Sequence, residues 1–273
     1  MTDSYEARLT TSARSAHVPF SGQHDAVTLV LEDGRWIPGV RVESASYSLT
    51  IPALLNAVTT AVARQVDSIR AVVSSRPFHP QEIQYARGTP LLRDLERTGP
   101  RLLGSLPGAP APESPLSPFL SRHETEFDSH EPDRKSSASD ARIPSGSLSH
   151  REGVLAARRI ARHAFAPFSD FKVGCLLEVP GEGYIPGVNV EHADWMHVLC
   201  AERSAIGTAV SYGFRHPSIV YLSCRKRSGC TPCGACRQLL AELAPGTTLW
   251  MDAGDEPPVQ SSPIALLPDF FTG

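Results

Sequence analysis

The first 174 residues of this 273-residue chain contain no cysteine, and no part of the chain carries a long hydrophobic run. All six cysteines lie at or after Cys175. Without an export signal, their spacing favours metal binding over disulfides. No apolar stretch approaches the roughly 20 residues that cross a bilayer, and the N-terminus, with Asp3 and Glu6, lacks a signal-peptide pattern. We therefore expect a cytoplasmic protein with no membrane partner.

An excess of charge of one sign is also lacking. The chain has 26 Lys and Arg against 29 Asp and Glu, which gives a formal net charge of -3. This balance provides no basic surface for a polyanion, so we expect no nucleic-acid partner. With 41% hydrophobic residues, the chain is long enough to bury one or two cores.

Three of the cysteines have the spacing of ligands to a single metal ion. Cys233 and Cys236 form a Pro-Cys-x-x-Cys motif, and Cys200 lies upstream of it. Zinc with four protein ligands is usually structural, whereas a hydrolytic zinc keeps three and leaves one position for water. The sequence therefore predicts one catalytic Zn²⁺ per chain. Glu202, two positions after Cys200, is placed to shuttle a proton from the metal-bound water.

Both parts of this pattern are predicted to lie at helix N-termini. Pro232 suits a first helical turn, and the residues after Cys200 favour a helix. Helix N-termini stabilise thiolates through their amide groups and their dipole. We interpret the other three cysteines as reduced structural thiols; they are Cys175, Cys224 and Cys230.

Four ordered motifs resemble the cytidine deaminase family of zinc-dependent enzymes. They occupy residues 166–174, 187–191, 200–205 and 231–238. The resemblance covers roughly the last 110 to 120 residues, which is the usual size of one domain. It implies a three-layer α/β/α fold in which helices flank a mixed sheet.

The hydrophobic pattern of the second half indicates the same α/β layering. Strands are predicted at residues 171–177, 184–188, 219–223 and 248–251, and helices at 151–165, 200–212 and 233–243. The first two strands are expected to form a hairpin, because the turn residues 181–183 lie between them.

The resemblance implies hydrolytic deamination of cytidine and deoxycytidine to uridine and deoxyuridine, with release of ammonia, in pyrimidine salvage. Zinc lowers the pKa of bound water from about 15.7 to about 7, so that hydroxide is available to attack C4 of the pyrimidine. Glu202 would carry the water proton to N3 and later assist departure of the amino group. The implied enzyme is a hydrolase that cleaves the C–N bond of a cyclic amidine.

The resemblance also assigns contacts with this nucleoside substrate. Asn189 and Glu191 match the family's ribose-binding pair, and both side chains leave one face of a strand because they alternate along it. Phe171 and Ala201 match residues that contact the base. Arg203 matches an arginine that hydrogen-bonds the zinc-bound thiolates and offsets their negative charge.

An internal repeat indicates that the chain contains two copies of this unit. At an offset of 148, residues 18–21 match 166–169 and residues 37–43 match 185–191. At the same offset, the positions of Cys200, Glu202 and Asn189 are taken by Pro52, Leu54 and Arg41. The first copy is therefore predicted to be degenerate and catalytically inactive.

The repeat divides the chain into three predicted parts. Residues 1–103 form the degenerate deaminase-like domain, and residues 150–273 form the catalytic domain. Residues 104–149 are rich in Pro and Ser and are predicted to be a linker. A weaker match, at a different offset, pairs residues 89–94 with 231–236.

Active sites of small cytidine deaminases are completed by neighbouring subunits, so the resemblance implies a homodimer that mimics a four-subunit core. Two alternatives stay open. The substrate could be a modified cytosine nucleoside, such as a nucleoside antibiotic. Otherwise Cys230, three residues before Cys233, could close the metal site as a fourth ligand and make it a non-catalytic zinc module.

Overall fold

The computed structural model describes residues 5–89, 91–92, 148–226 and 229–273. These residues form two units of sheet and helices, one in each half of the chain. The predicted linker, 104–149, lies outside the described residues except for its last two positions. None of the described helices combines the length and the apolar character needed to span a bilayer.

In the described part of the first half there are three strands and three α-helices. They are α1 (Tyr5–Ala13), β1 (Ala26–Val30), β2 (Trp36–Val40), α2 (Ala53–Ala63), β3 (Ala71–Ser74) and α3 (Pro80–Gly88). Every residue of β1 and β2 is buried, and β1 is rich in the β-branched residues that pack well in sheets. The strands pair antiparallel in the order β2-β1-β3, and α2 packs on β1 and β2.

From residue 148 onward, the described residues form five strands and four α-helices. They are α4 (His150–Ile160), β4 (Val173–Val179), β5 (Gly183–Val188), α5 (Ala201–Ser211), β6 (Ile219–Cys224), α6 (Gly234–Leu243), β7 (Thr248–Met251), β8 (Val259–Ser261) and α7 (Pro263–Leu266). The strand order is β5-β4-β6-β7-β8. The pairing of β6 with β7 is parallel and the others are antiparallel, so the predicted mixed sheet is confirmed.

Helices flank this mixed sheet as predicted. Helix α4 contacts β4 and β6, whereas α5 contacts β5 and β4 and also packs against α6. Gly174 in β4 permits the close approach of α4, because a Cβ added there would overlap the backbone of Ala157 and Ala161. The predicted hairpin is also present, with Val179 of β4 opposite Gly183 of β5.

The two halves repeat each other at the predicted offset of 148. Helices α2 and α5 occupy equivalent positions, and so do the 3₁₀ turns Tyr47–Leu49 and Trp195–His197. Isolated bridges recur in the same way, at His17, Val42 and Ile51 and again at Phe165, Val190 and Leu199. The duplication is therefore confirmed. Among the described residues, however, the strand pairs of the first-half sheet are all antiparallel, and the parallel His17–Val42 bridge lies outside the strands. The mixed sheet therefore belongs to the second half.

Helices α2 and α5 pack against each other, and each also contacts the sheet of the other half. Thr60 and Thr208, which are equivalent in the repeat, hydrogen-bond each other at 2.7 Å and mark an approximate twofold axis. Asn56 donates to the Gly207 carbonyl and to the Ser211 hydroxyl. The Asn56 Nδ2 group is thus paired across the contact, although its Oδ1 has no hydrogen-bond partner among the described residues. Apolar residues of both halves form one core cluster.

The weaker match between residues 89–94 and 231–236 stays a prediction, because positions 90, 93 and 94 lie outside the described residues. Thr231 comes shortly before a helix, whereas Thr89 lies at the C-terminal end of α3. That helix begins at Pro80, which suits the first helical position. Its start is fixed by Glu82, whose carboxylate accepts the backbone N–H of His79.

Candidate metal centre

Two helix N-termini converge beside strand β5. Cys200 caps α5 and Cys233 caps α6, each with an extended backbone conformation. The position of α5 depends on Gly187 in β5, because a Cβ added there would overlap the Ala201 carbonyl and Ala205. The glycine therefore lets the first turn of α5 lie directly on the strand.

The three predicted ligand thiols lie together. The Sγ atoms of Cys200 and Cys233 are 3.7 Å apart, and those of Cys233 and Cys236 are 3.5 Å apart. All three lie within 4.8 Å of one another. Tetrahedral zinc with Zn–S bonds of about 2.3 Å holds its sulfurs about 3.8 Å apart. The donor set therefore fits one Zn²⁺ and leaves a fourth position for a non-protein ligand.

The protonation states of these thiols depend on one another. Hydrogen bonds from Cys200 and Cys236 lower the pKa of Cys233, and backbone amides at the start of α6 act in the same direction. The hydrogen bond to Cys233 raises the pKa of Cys200 to about 12. Zinc takes cysteine as thiolate, so metal binding would displace the protons that the thiols hold.

Cys230 is not part of this ligand group. Among the residues that the structure describes, the group consists of the three cysteines named above. Burial and the neighbouring Cys224 raise the pKa of the Cys230 thiol. Its backbone N–H donates to the Asp252 carbonyl at 3.0 Å. The described residues therefore do not form the closed site with four cysteines.

Glu202 is buried in the first turn of α5, with 4% of its surface exposed. Burial and, less strongly, the charge of Cys233 raise the pKa of its carboxyl group to about 7, while hydrogen bonds from its own backbone N–H and from Cys236, and the charge of Arg203, partly oppose the rise. A carboxyl group with a pKa near neutrality both accepts and donates protons readily at that pH. This property suits the predicted proton shuttle.

Arg203 extends from the catalytic half toward the first half. Its Nη2 donates to the carbonyl oxygen of Leu49 at 2.8 Å. Its Nε is buried and has no hydrogen-bond partner among the described residues. The predicted hydrogen bonds from Arg203 to the zinc-bound thiolates stay a prediction.

The side chains predicted to bind ribose hold the backbone of a nearby loop. Asn189 accepts from the Val173 N–H at 2.7 Å and donates to the Phe171 carbonyl at 2.9 Å. Glu191 accepts from the Ser169 N–H at 3.1 Å and also from its hydroxyl. These hydrogen bonds fix the orientation of both side chains, and their ribose contacts stay a prediction.

The two residues predicted to contact the base differ in exposure. Phe171 is partly buried at the entrance to β4, whereas Ala201 is fully buried at the start of α5. Ala201 lies between the first predicted metal ligand and the predicted proton shuttle. Their contacts with a pyrimidine also stay a prediction.

Sequence reasoning missed the contact of the first half with the 190–199 loop. Tyr85 in α3 places its ring centroid 5.2 Å from those of both His192 and His197. The tyrosine is buried, and a Cβ added at Gly88 would overlap the His192 imidazole. A buried tyrosine in a short helix gives no local signal of so distant a partner.

The first half keeps the framework of the site without its chemistry. Pro52 caps α2 at the position equivalent to Cys200. Arg41 stands in the place of Asn189, and its Nε donates to Glu43 at 2.9 Å. Leu54, in the place of Glu202, is buried. The inactivity of this copy stays a prediction.

Two family models match the chain, and both are described as the zinc-binding region of cytidine and deoxycytidylate deaminases. One matches residues 2–75 and the other matches residues 148–251. The tandem arrangement predicted from the repeat is therefore confirmed. The predicted zinc cofactor is confirmed as well, because this family match accompanies three thiols that fit the ion.

Curated relatives and a solved structure are similar to parts of the chain. The cytidine deaminase of Mycoplasma genitalium is 40% identical over 87 residues, 31% of this chain and 65% of that protein, slightly less than two thirds. That of Halalkalibacterium halodurans is 36% identical over 110 residues, 40% of this chain and 83% of that protein. The structure of cytidine deaminase from Burkholderia pseudomallei is 32% identical, with a TM-score of 0.43, over 45% of this chain and 100% of that one.

Proposed function

Since this chain belongs to the cytidine deaminase family, we propose that it hydrolytically deaminates cytidine and deoxycytidine to uridine and deoxyuridine, releasing ammonia. The observation that carries the proposal is a buried carboxyl group, Glu202, beside three thiols that fit one zinc ion. We assign the reaction to the 150–273 domain, with 1–103 as an inactive domain and 104–149 as a linker. The proposed setting is pyrimidine salvage in the cytoplasm.

The proposed chemistry divides between the metal ligands and one carboxyl group. Cys200, Cys233 and Cys236 would hold the ion, and bound Zn²⁺ supplies a water molecule that is nucleophilic near neutral pH. Glu202 accepts a proton, delivers it to N3 of the pyrimidine and assists departure of the amino group. Its pKa of about 7 allows both transfers at neutral pH.

The proposed substrate contacts involve four residues. Hydrogen bonds from the 168–169 loop outweigh the effect of burial and lower the pKa of Glu191, so it is a charged acceptor for ribose hydroxyls. Asn189 shares that role. Phe171 contacts the base, and the small side chain of Ala201 leaves room for the pyrimidine ring.

The proposal is tested by following the fall in absorbance of the cytidine band with purified, zinc-loaded protein. Glu202→Gln is expected to lower turnover about 10²- to 10⁴-fold, because proton transfer is lost, while its zinc content stays unchanged. Cys236→Ala is expected to lose zinc and turnover together. Cys230→Ala is the matched control and keeps both.

Turnover of cytidine that survives Glu202→Gln would contradict the assigned chemistry. Loss of zinc from Cys230→Ala would instead favour the closed, non-catalytic site. A native protein that deaminates a modified cytosine nucleoside but leaves cytidine unchanged would replace the proposed substrate.

We further propose that two chains form a homodimer with four deaminase-like units. Exposed aromatic side chains at equivalent positions, Phe20 and Phe168, support this arrangement, and Tyr47 is exposed as well. Contact with a second chain would remove such apolar surface from water. Light scattering measures the mass directly, and a monomer with full activity would contradict the homodimer.

A further inference from the structure

One short segment of the inactive half contacts both helices that carry the metal ligands. This 44–49 segment follows Glu43 and includes the 3₁₀ turn Tyr47–Leu49. Its beginning is hydrogen-bonded to α6, which contains Cys236. Its end is hydrogen-bonded to Arg203 in the first turn of α5. The segment therefore joins the two helices independently of the metal.

The contact with α6 is centred on the Glu242 carboxylate. Ser44 Oγ donates to it at 2.8 Å, and the Ala45 N–H donates at 2.9 Å. Within α6, the side-chain amide of Gln238 donates to the same carboxylate. Hydrogen bonds to a charged acceptor are stronger than those between neutral groups. Glu242 thus holds the segment on the helix at two points.

The contact with α5 reaches a residue adjacent to the proposed proton shuttle. Arg203 follows Glu202 directly and donates to the Leu49 carbonyl at 2.8 Å. The guanidinium group is largely buried, so solvent screens this hydrogen bond only weakly. At the position equivalent to Arg203, the first half has Leu55. A leucine side chain cannot donate a hydrogen bond, so the first half cannot make the equivalent contact with the second half.

We propose that the 44–49 segment positions α5 and α6 around the metal centre, and that Glu242 is the positioning residue through which it acts. Glu242 lies in the last turn of α6, six positions after the metal ligand Cys236. Its effect passes through the segment and Arg203 to the first turn of α5. The inactive half thereby contributes to catalysis without a catalytic residue of its own. This inference rests on the proposed function only for its kinetic readout.

Glu242→Gln in the full-length chain is the decisive variant, because the amide places a donor against the donors that now face the carboxylate. Removing groups that orient metal ligands typically costs 10- to 100-fold in metal affinity or activity, and we expect about tenfold lower kcat with KM changed less than about twofold. The visible spectrum of the Co²⁺-loaded protein is expected to shift, and chelator competition is expected to show weaker Zn²⁺ binding.

Ser44→Ala removes one of the two hydrogen bonds from the segment and is expected to give a smaller effect of the same kind. Glu182→Gln, in the exposed turn between β4 and β5, is the matched control and should match the native protein. If Glu242→Gln fails to fold, Ser44→Ala decides the question. Unchanged Co²⁺ spectra and Zn²⁺ affinity in the folded variants would overturn the proposal, even if their thermal stability falls.

The metal readouts require no substrate. A shifted Co²⁺ spectrum in a protein that leaves cytidine unchanged would keep the positioning role and reject the proposed substrate. An unshifted spectrum in an enzyme that deaminates cytidine would reject the positioning role and keep the proposed substrate.

Discussion

A single neighbouring residue distinguishes the two carboxylates that stand at equivalent positions of the repeat. Glu43 and Glu191 each accept hydrogen bonds from two backbone amides of a preceding loop. Arg41 additionally donates to Glu43, whereas the equivalent residue in the second half is the uncharged Asn189. Burial alone would raise the pKa of Glu43, but hydrogen bonds from the 20–21 loop and Arg41 hold it at about 2. The hydrogen bonds of the Glu43 carboxylate therefore serve to stabilise the fold.

Glu43→Gln is expected to lower the free energy of unfolding by about 1 to 3 kcal/mol at neutral pH, because hydrogen bonds to a charged acceptor are lost. The pKa of Glu43 in the folded state lies below the ordinary value of 4.5. Its stabilisation is therefore complete above that value and is lost as the pH falls through about 2. Urea unfolding at neutral pH and near pH 3 measures the difference between variant and native protein, which should shrink in acid.

The exposed Glu32→Gln is the control for the removal of one negative charge. A difference between Glu43→Gln and the native protein that is the same at both pH values would show that the Glu43 charge does not stabilise the fold.

At the scale of elements, the site depends on how closely a helix approaches a strand. Gly187 lets the start of α5 lie on β5, and Gly39 does the same for α2 on β2, where a Cβ would overlap Ala53 and Ala57. In both halves, therefore, a glycine in a strand allows a helix to pack closely on the sheet. Of the two helices that approach a strand in this way, α5 begins beside a predicted metal ligand and α2 does not.

Gly187→Ala and Gly39→Ala form a matched pair of substitutions. Overpacking of a close contact typically costs about 1 to 3 kcal/mol, and both variants are expected to lose stability to this degree. Gly187→Ala is expected in addition to weaken Zn²⁺ binding, because it displaces the turn that carries Cys200. Thermal unfolding and chelator competition measure the two effects, and equal Zn²⁺ affinities in both variants would contradict the assignment.

The elements and the metal ligands could be predicted because their signals are local. Hydrophobic periods gave α5, α6 and the β4–β5 hairpin to within a few residues, and Cys233 and Cys236 are separated by one helical turn. The contacts of Arg203 with Leu49 and of Glu242 with Ser44 join residues 154 and 198 positions apart. No periodicity or spacing encodes such pairs, because they arise only when the two halves pack.

At the scale of the whole molecule, the two halves share a contact that is partly polar. Asn56 donates to the Val40 carbonyl of its own half and to Gly207 and Ser211 of the other. The Nδ2 group reaches acceptors in both halves only in the docked arrangement, while Oδ1 has no hydrogen-bond partner among the described residues. Asn56 therefore favours one geometry of α2 against α5.

Asn56→Ala is expected to destabilise the whole chain by about 1 to 3 kcal/mol, because it leaves buried polar partners unsatisfied. Since the core is continuous across the two halves, unfolding is expected to remain a single transition with a lower midpoint. Urea unfolding followed by circular dichroism measures this change, with the exposed Gln260→Ala as control. A change confined to a separate, early transition of one half would contradict the shared core.

The side chain of Asn56 occupies space that Gly207 leaves free, and a Cβ at that glycine would overlap the amide. Thr59 and Ser204 hold the positions that the repeat relates to Gly207 and Asn56. Two first halves would set Asn56 against Thr59, and two second halves would set Ser204 against Gly207. With both copies in one polypeptide, one half can carry the larger side chain of Asn56 and the other half the glycine, Gly207, that leaves room for it. This complementarity selects the mixed pair over either identical pair during assembly.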